Sequence, residues 1–414
     1  MKTWHKIVLA VLLALIAGGI WFYPKYEMLQ RTVHLFDEDV IVENFRTFNK
    51  VWPVSELKAA STPYQYAKET PINLPENFSY QGQTYETKQY LKDSWTTGFL
   101  IIQDDTIVYE NYFLGNTEDT RNISWSMAKS YISALFGIAV EEGHIKSLEQ
   151  TVEEYCPSLK GSGYEGVRIK DVLQMSTGVR FNEDYGDFNS DINRWGRGFA
   201  MGDSQDEFAS TLEREVEPGT VNHYVSINTH VLGMIITKAT GRTITDYMQE
   251  KLYTPMGMEY DGYWLIDGEK MEMALGGLNL TLRDFAKIGS MYLHKGNWNG
   301  KQIVPETWVK ASLTPDAPHI QPEEGQLGYG YQWWIPKSEV GEFMALGVYN
   351  QNIYVNPQTN TVIVKLSANP NYNDSSYVPS DDMANLELYR EIVKAFQPER
   401  HSELVSPDSD RDPK

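Results

Sequence analysis

The sequence predicts an α+β fold. One antiparallel sheet is built from both ends of the chain and flanked by helices, a helical subdomain is inserted between its strands, and an N-terminal membrane-anchor helix precedes it. Three observations predict this. β-rich runs stand at 97–102 and 107–112 and return after residue 325. Between about 127 and 290 the apolar residues recur mainly at helical spacing. Residues 7–23 are uncharged and strongly apolar, behind a basic Met1-Lys-Thr-Trp-His-Lys6 and ahead of Pro24.

The elements follow in order. The apolar run 7–23 is at the short end for a spanning helix and at the long end for a signal-peptide core. No Ala-x-Ala site follows closely and no cysteine is there for lipid attachment, so the reading is an uncleaved signal anchor over residues 1–25. Lys2 and Lys6 keep that end in the cytoplasm by the positive-inside tendency, which puts the rest in the periplasm or outside the cell. Lys25 and Arg31, on the far side, run against it. Residues 26–95 are rich in turn formers and read as an arm packed on the main domain, with a short helix or strand within 34–46. The runs 97–102 and 107–112 form a hairpin around Asp104-Asp105, which leads into a helix after Ser126. Further helices are expected at 169–175, at 229–241 with Gly241 as its stop, and at 282–294. The polar stretch 184–191 is a loop long enough to be functional. Strands return at 330–335, 342–348, 352–355 and 361–366, a helix closes the fold over 381–396, and the tail from Gln397 is polar and disordered. The domain of interest is thus 96–397, with 398–414 as tail.

Composition bounds the function. Hydrophobic residues make up 41% and charged residues 22%, as in globular proteins. The net charge of −20 excludes a nucleic-acid surface and disfavours anionic lipid, so membrane contact falls to the N-terminal helix alone. The single cysteine, Cys156, allows no internal disulfide and reads as a structural thiol. There is no His-Glu-x-x-His, no P-loop, no Gly-x-Gly-x-x-Gly opening a helix, and no Gly-x-Ser-x-Gly around Ser126. No metal or cofactor is implied.

The chemistry centres on Ile123-Ser-Trp-Ser126-Met-Ala-Lys129. At i and i+3 on a helix two side chains are neighbours, roughly 5–6 Å apart at Cβ, so the Ser126 hydroxyl and the Lys129 amine are expected to touch. A serine needs a base to become a nucleophile. A lysine becomes that base when burial and the positive end of a helix disfavour its ammonium form. Ser-x-x-Lys is a catalytic motif of penicillin-recognising enzymes. The same pattern at Ser55-Glu-Leu-Lys58 has no long apolar helix behind it and is read as a surface match.

This order of elements and motifs resembles the serine β-lactamase and penicillin-binding-protein superfamily. It is most similar to the class C β-lactamase-related hydrolases, which include family VIII carboxylesterases, D-amino-acid peptidases and 6-aminohexanoate-oligomer amidases. The resemblance covers roughly 95–396. It is carried by Ser124-Trp-Ser-Met-Ala-Lys-Ser130, Asp171-Val-Leu-Gln-Met-Ser-Thr-Gly178, Pro218-Gly-Thr through Tyr224 to Leu232-Gly233, Gly276-Gly-Leu with Thr281-Leu-Arg-Asp284, and Trp298-Asn-Gly-Lys-Gln-Ile-Val-Pro305.

The resemblance implies an acyl-enzyme on Ser126, with Lys129 and Tyr224 managing protons. Tyr224-Val-Ser226 stands where the family has Tyr-x-Asn, and a cationic Lys129 nearby is expected to favour the Tyr224 phenolate. The third motif, Lys-Thr-Gly or His-x-Gly in the family, is Ala345-Leu-Gly347 here. Its cation is missing, which argues against β-lactams as natural substrates. His294-Lys-Gly296 fits the pattern literally but falls at a helix end. The implied oxyanion hole is the amides of Ser126 and Val348. Tyr185, Ser226, Trp334, Ala345 and Gly347 are the expected substrate contacts. The reading is a serine hydrolase acting on a small ester, amide or peptide. The alternatives are a D-Ala-D-Ala carboxypeptidase or β-lactamase, and a non-catalytic binding or sensor domain on the same fold.

Overall fold

The two β-rich ends of the chain meet in one eight-stranded sheet. The computed structural model describes residues 2–374 and 376–396. The strands of this sheet are β1 (Ala67–Lys68), β2 (Thr96–Gln103), β3 (Thr106–Tyr112), β4 (Gly328–Tyr329), β5 (Trp334–Ile335), β6 (Phe343–Gly347), β7 (Gln351–Asn356) and β8 (Thr361–Ser367). Their order is β4-β5-β6-β7-β8-β2-β3-β1, so β8 from the C-terminal group pairs directly with β2 from the N-terminal hairpin. All pairings are antiparallel except β1 on β3 at the edge. The strands β2, β7 and β8 are buried almost throughout, because helices cover both faces and the strands are apolar on both.

On one face lies α6 (Leu282–Leu293), with Gly289 flush against the sheet: a Cβ there would stand 2.9 Å from Val362 and 3.0 Å from Ile353. On the other face, α7 (Asp382–Val393) packs on Phe99, Ile101, Tyr354 and Ile363. The inserted helices include α3 (Ala128–Glu141), α4 (Asp191–Met201) and α5 (Ser226–Thr240). α3 and α5 pack on each other and are buried on nearly every side, so each is apolar around much of its circumference. As expected, α5 ends on Gly241, whose φ of 69° is the left-handed conformation that closes a helix.

Two expectations need correction. The middle of the chain is not only helical: 262–265 and 278–280 are fully buried strands of a second, four-stranded sheet with Asn122–Ile123 and Val54–Leu57. Strands this short and buried on both faces leave no alternation to read. Through Val54–Leu57 the arm is sewn into this sheet, and its helix α2 (Ile41–Arg46) and Phe45, Phe48 and Trp52 share the main core.

The second correction concerns the anchor. The N-terminal segment is a helix, α1 (Lys2–Val33), with much of its apolar surface exposed, and it lies against α4. Among the described residues, however, no helix is long and apolar enough to cross a membrane. The uncharged run 7–23 rises only about 25 Å at 1.5 Å per residue, against a hydrocarbon core of about 30 Å. Beyond it α1 carries Glu27 and Arg31, paired with each other on the helix surface. The tail, 398–414, lies outside the described residues.

Candidate active site

Ser126 sits in a 3₁₀ turn, Trp125–Met127, that runs straight into α3. The turn is pinned to the small sheet by the Ser124 amide, which donates to the Leu278 carbonyl at 2.7 Å. Trp125 adopts φ 43°, a conformation rare for a bulky residue. Opposite, the end of β6 comes up against the same turn. A Cβ on Gly347 would lie 2.6 Å from the Ser124 carbonyl and 3.1 Å from the Ser126 amide nitrogen, so only glycine fits there. Ser126, Gly347 and Val348 thereby share one cavity of about 280 Å³, which Glu183, Tyr185, Tyr224, Leu327, Trp334, Leu346, Tyr372 and Asp382 complete.

Lys129, one helical turn on, is buried. Its amine donates to the Leu275 carbonyl at 2.8 Å and to the Ser226 hydroxyl at 3.3 Å, and it lies 5.4 Å from the centre of the Tyr224 ring. Burial brings its pKa down to about 7, with the nearby Glu183 carboxylate pulling the other way. Near neutral pH a large share of this lysine is therefore an uncharged amine. The expected direct contact with Ser126 is absent: among the described residues the two side chains make no hydrogen bond, and the amine donates to Leu275 and Ser226 instead. It is the Tyr224 hydroxyl that meets the hydroxyls of Ser126 and Ser226.

Tyr224 overturns a second expectation. Burial, and then the Glu183 carboxylate, push its pKa above that of a free tyrosine, and its hydrogen bonds with the two serines oppose this only partly. The phenol is thus held protonated. Its ring stacks on Trp334, 5.4 Å between centroids and 20° between planes, which fixes the direction of the hydroxyl.

Glu183 is the residue the sequence reading missed. One oxygen accepts from the Ser226 hydroxyl at 2.5 Å and from the Tyr185 hydroxyl at 2.8 Å, and the other accepts from the Ser226 amide at 3.0 Å. That amide is in the first turn of α5, where the helix dipole favours an anion. No spacing marks Glu183: it stands one position before the acidic loop 184–191, and only the fold brings that loop to α5.

The other expected residues divide. Tyr185, Trp334 and Gly347 line the cavity. Ser226 does not; it is buried behind it, linking Lys129 to Glu183. Ala345 packs in the main core instead of the pocket. Elsewhere, His294 pairs with Asp105 at 2.9 Å in an exposed position. Burial pushes the Cys156 thiol up to about 12, so it is no nucleophile. Ser55 is in a strand and Lys58 in an exposed cluster with Glu56 and Asp261, which gives that pair no shared pocket.

The family profile that matches this chain is Beta-lactamase, over residues 88–385. The chain belongs to the β-lactamase family. Among curated relatives, the 6-aminohexanoate-dimer hydrolase of Paenarthrobacter ureafaciens is 31% identical over 298 residues, covering 69% of this chain and 76% of that protein. A Bacillus anthracis structure provisionally named a 6-aminohexanoate-dimer hydrolase superposes with a TM-score of 0.77 at 25% identity, covering 87% of this chain and 95% of its own. A penicillin-binding protein from Bacillus halodurans shares the fold, with a TM-score of 0.54 at 17% identity over 68% and 97% of the two chains. As a member of this family the chain is a serine hydrolase, a class whose chemistry runs through an acyl-enzyme.

Proposed function

We propose that this hydrolase cleaves small amides or esters whose acyl part carries a cationic group. In this reading Ser126 is the nucleophile: it passes its proton to the Tyr224 hydroxyl as that hydroxyl gives its own up to the uncharged Lys129 amine. The observation that carries the reading is Ser126 in the cavity wall with Lys129 buried one helical turn on, its amine bonded to Leu275 and Ser226 and its pKa brought down to about 7. As the serine oxygen attacks the carbonyl carbon, the carbonyl oxygen takes up the electron pair, and the amides of Ser126 and Val348 receive that oxyanion. Tyr224, held protonated, donates its proton to the leaving nitrogen or oxygen and is recharged from the Lys129 ammonium. Water then attacks the ester on Ser126 by the same route and frees the acid.

The substrate class follows from the walls. Tyr185, Tyr224, Tyr372 and Trp334 line a cavity whose wall also includes two acidic residues, Glu183 and Asp382. Such a pocket attracts an ammonium by charge and by cation–π contact, and repels a carboxylate. That repulsion, with Ala345 in place of the motif's cation, disfavours β-lactams and D-Ala-D-Ala peptides. The cationic end of an amino-acyl amide fits, and the named relative acts on a 6-aminohexanoate dimer.

Intact-mass labelling of the protein with a fluorophosphonate tests the nucleophile. One adduct is expected, and it should be lost in Ser126→Ala. A matched panel of neutral, cationic and anionic amides and esters tests the pocket. Faster turnover of the anionic members would sink the substrate assignment while leaving the nucleophile intact.

A further inference from the structure

Both amides of the proposed oxyanion hole border unusual backbone. Trp125, immediately before Ser126, has φ 43°; Tyr349 and Asn350, immediately after Val348, have φ 63° and 62°. Bulky residues keep left-handed conformations only where their surroundings over-determine them. Asn350 is fixed by polar contacts: its side chain donates to the Ser380 carbonyl at 3.1 Å and accepts from Asn369 at 3.1 Å. The Trp125 carbonyl accepts from the Ser124 hydroxyl at 3.0 Å and the Tyr349 carbonyl from the Gln351 side chain at 3.1 Å, while both side chains are packed among rings.

Those rings come from the N-terminal arm. Phe45 meets Trp125 edge-on at 5.5 Å and Tyr349 at 5.2 Å. Phe48 meets Trp125 edge-on at 5.8 Å. Phe36 stacks on Tyr349 at 4.8 Å with 15° between planes, and touches Trp125 at 5.9 Å. Trp125 and Tyr349 are themselves 6.0 Å apart, and Tyr349 continues to Tyr372 in the pocket wall at 5.4 Å. The three phenylalanines are not among the residues lining the cavity; they reach the reaction through the two residues that flank its amides.

We propose that the arm segment 34–52 is a positioning clamp for hydrolysis, in which Phe36, Phe45 and Phe48 lock Trp125 and Tyr349 in their left-handed conformations and so hold the amides of Ser126 and Val348 at one fixed separation. The proposal rests on the assignment of those two amides given above. Its consequence is specific: loosening the clamp slows acylation without weakening substrate binding, since donors that must meet a developing oxyanion act in the transition state. A buried aromatic cluster that only stabilised the fold would change melting temperature alone.

The test measures the second-order rate of fluorophosphonate labelling, kcat and KM on an ester substrate, and melting temperature, for wild type, Phe36→Ala, Phe36→Tyr, Phe36→Leu and Phe45→Leu. Phe36 is 37% exposed, so its variants are expected to fold, and Phe36→Ala decides the matter should Phe45→Leu not fold. The expected result is a roughly tenfold fall in labelling rate and kcat for Phe36→Ala, about a tenth of the effect of a full 1 Å displacement of the site. KM should be unchanged, and Phe36→Tyr, which keeps the stacked ring, should recover the rate where Phe36→Leu does not. Labelling at the wild-type rate in Phe36→Ala and in every folded Phe45→Leu sample overturns the clamp, whatever their melting temperatures. A wild-type chain that takes no label overturns the hydrolase reading first, and the clamp with it.

Discussion

Lys129 and Lys365 are both buried, and burial brings both amines to about 7. Lys129 stands behind the pocket, hydrogen-bonded to Leu275 and Ser226, with Glu183 as its opposing charge. Lys365 is on β8, opposite Asn352 of β7, and its amine has no hydrogen-bond partner among the described residues. Its opposing charge is Asp382, whose carboxyl burial raises to about 6 and whose oxygen accepts from Asn352 at 3.3 Å. A third buried lysine, Lys287, shows the ordinary solution, with Asp284 at 2.9 Å and the Gly257 carbonyl at 2.7 Å. A lowered pKa therefore does not make a base. Lys129 differs from Lys365 because hydroxyls lead from its amine to a serine that opens into a cavity, whereas Lys365 borders the pocket only through Asp382.

The largest expected effect separates the two lysines outright. Lys129→Met should lower kcat/KM by about 10³-fold, within the range for losing a general base, while Lys365→Met leaves turnover near the wild-type level. Equal losses measured side by side would erase the distinction drawn here.

Next comes pH. Lys129 acts as a base only when uncharged, so kcat/KM should rise with pH along a limb centred near 7. Glu183 holds that pKa up, so Glu183→Gln should move the limb to lower pH. A shift to higher pH in the pH–rate profile would contradict the assigned electrostatics.

A smaller effect is expected at the other charged wall. Asp382→Asn should raise KM for a cationic substrate by roughly fivefold, about 1 kcal/mol of partly screened attraction, with kcat little altered and neutral substrates unaffected.

The smallest change in turnover, at Lys365, comes with a change in stability. The Lys365 pKa is lower folded than unfolded, so between about 7 and 10.5 the unfolded chain binds more protons. This lysine therefore makes the protein more stable as pH rises through that window, and its penalty is fully present below it. Thermal melts of Lys365→Met across the window should lack this rise. At pH 7, where nearly all of the penalty is present, the variant should be more stable than wild type, since methionine has no charge to desolvate.

The parts of the fold with a local cause are legible along the chain. The hairpin 97–112, the helix behind Ser126, the Gly241 stop, the closing helix and the final strands all follow from periodicity and turn chemistry within a few residues. The Ser-x-x-Lys pair was legible for the same reason, since three residues on a helix fix which face two side chains share. What those side chains meet is set by packing between distant segments. Glu183 reaches Ser226 across a loop that no pattern marks, Lys129 turns to Leu275 and Ser226 instead of Ser126, and Tyr224 stays protonated because burial and a carboxylate outweigh its hydrogen bonds. Ala345 faces the core although its motif suggested substrate. The arm, featureless as a string, became part of the core and the neighbour of both oxyanion amides. Short-range spacing is written along the chain, but desolvation and long-range contact depend on what folds around a group, and those set the chemistry here.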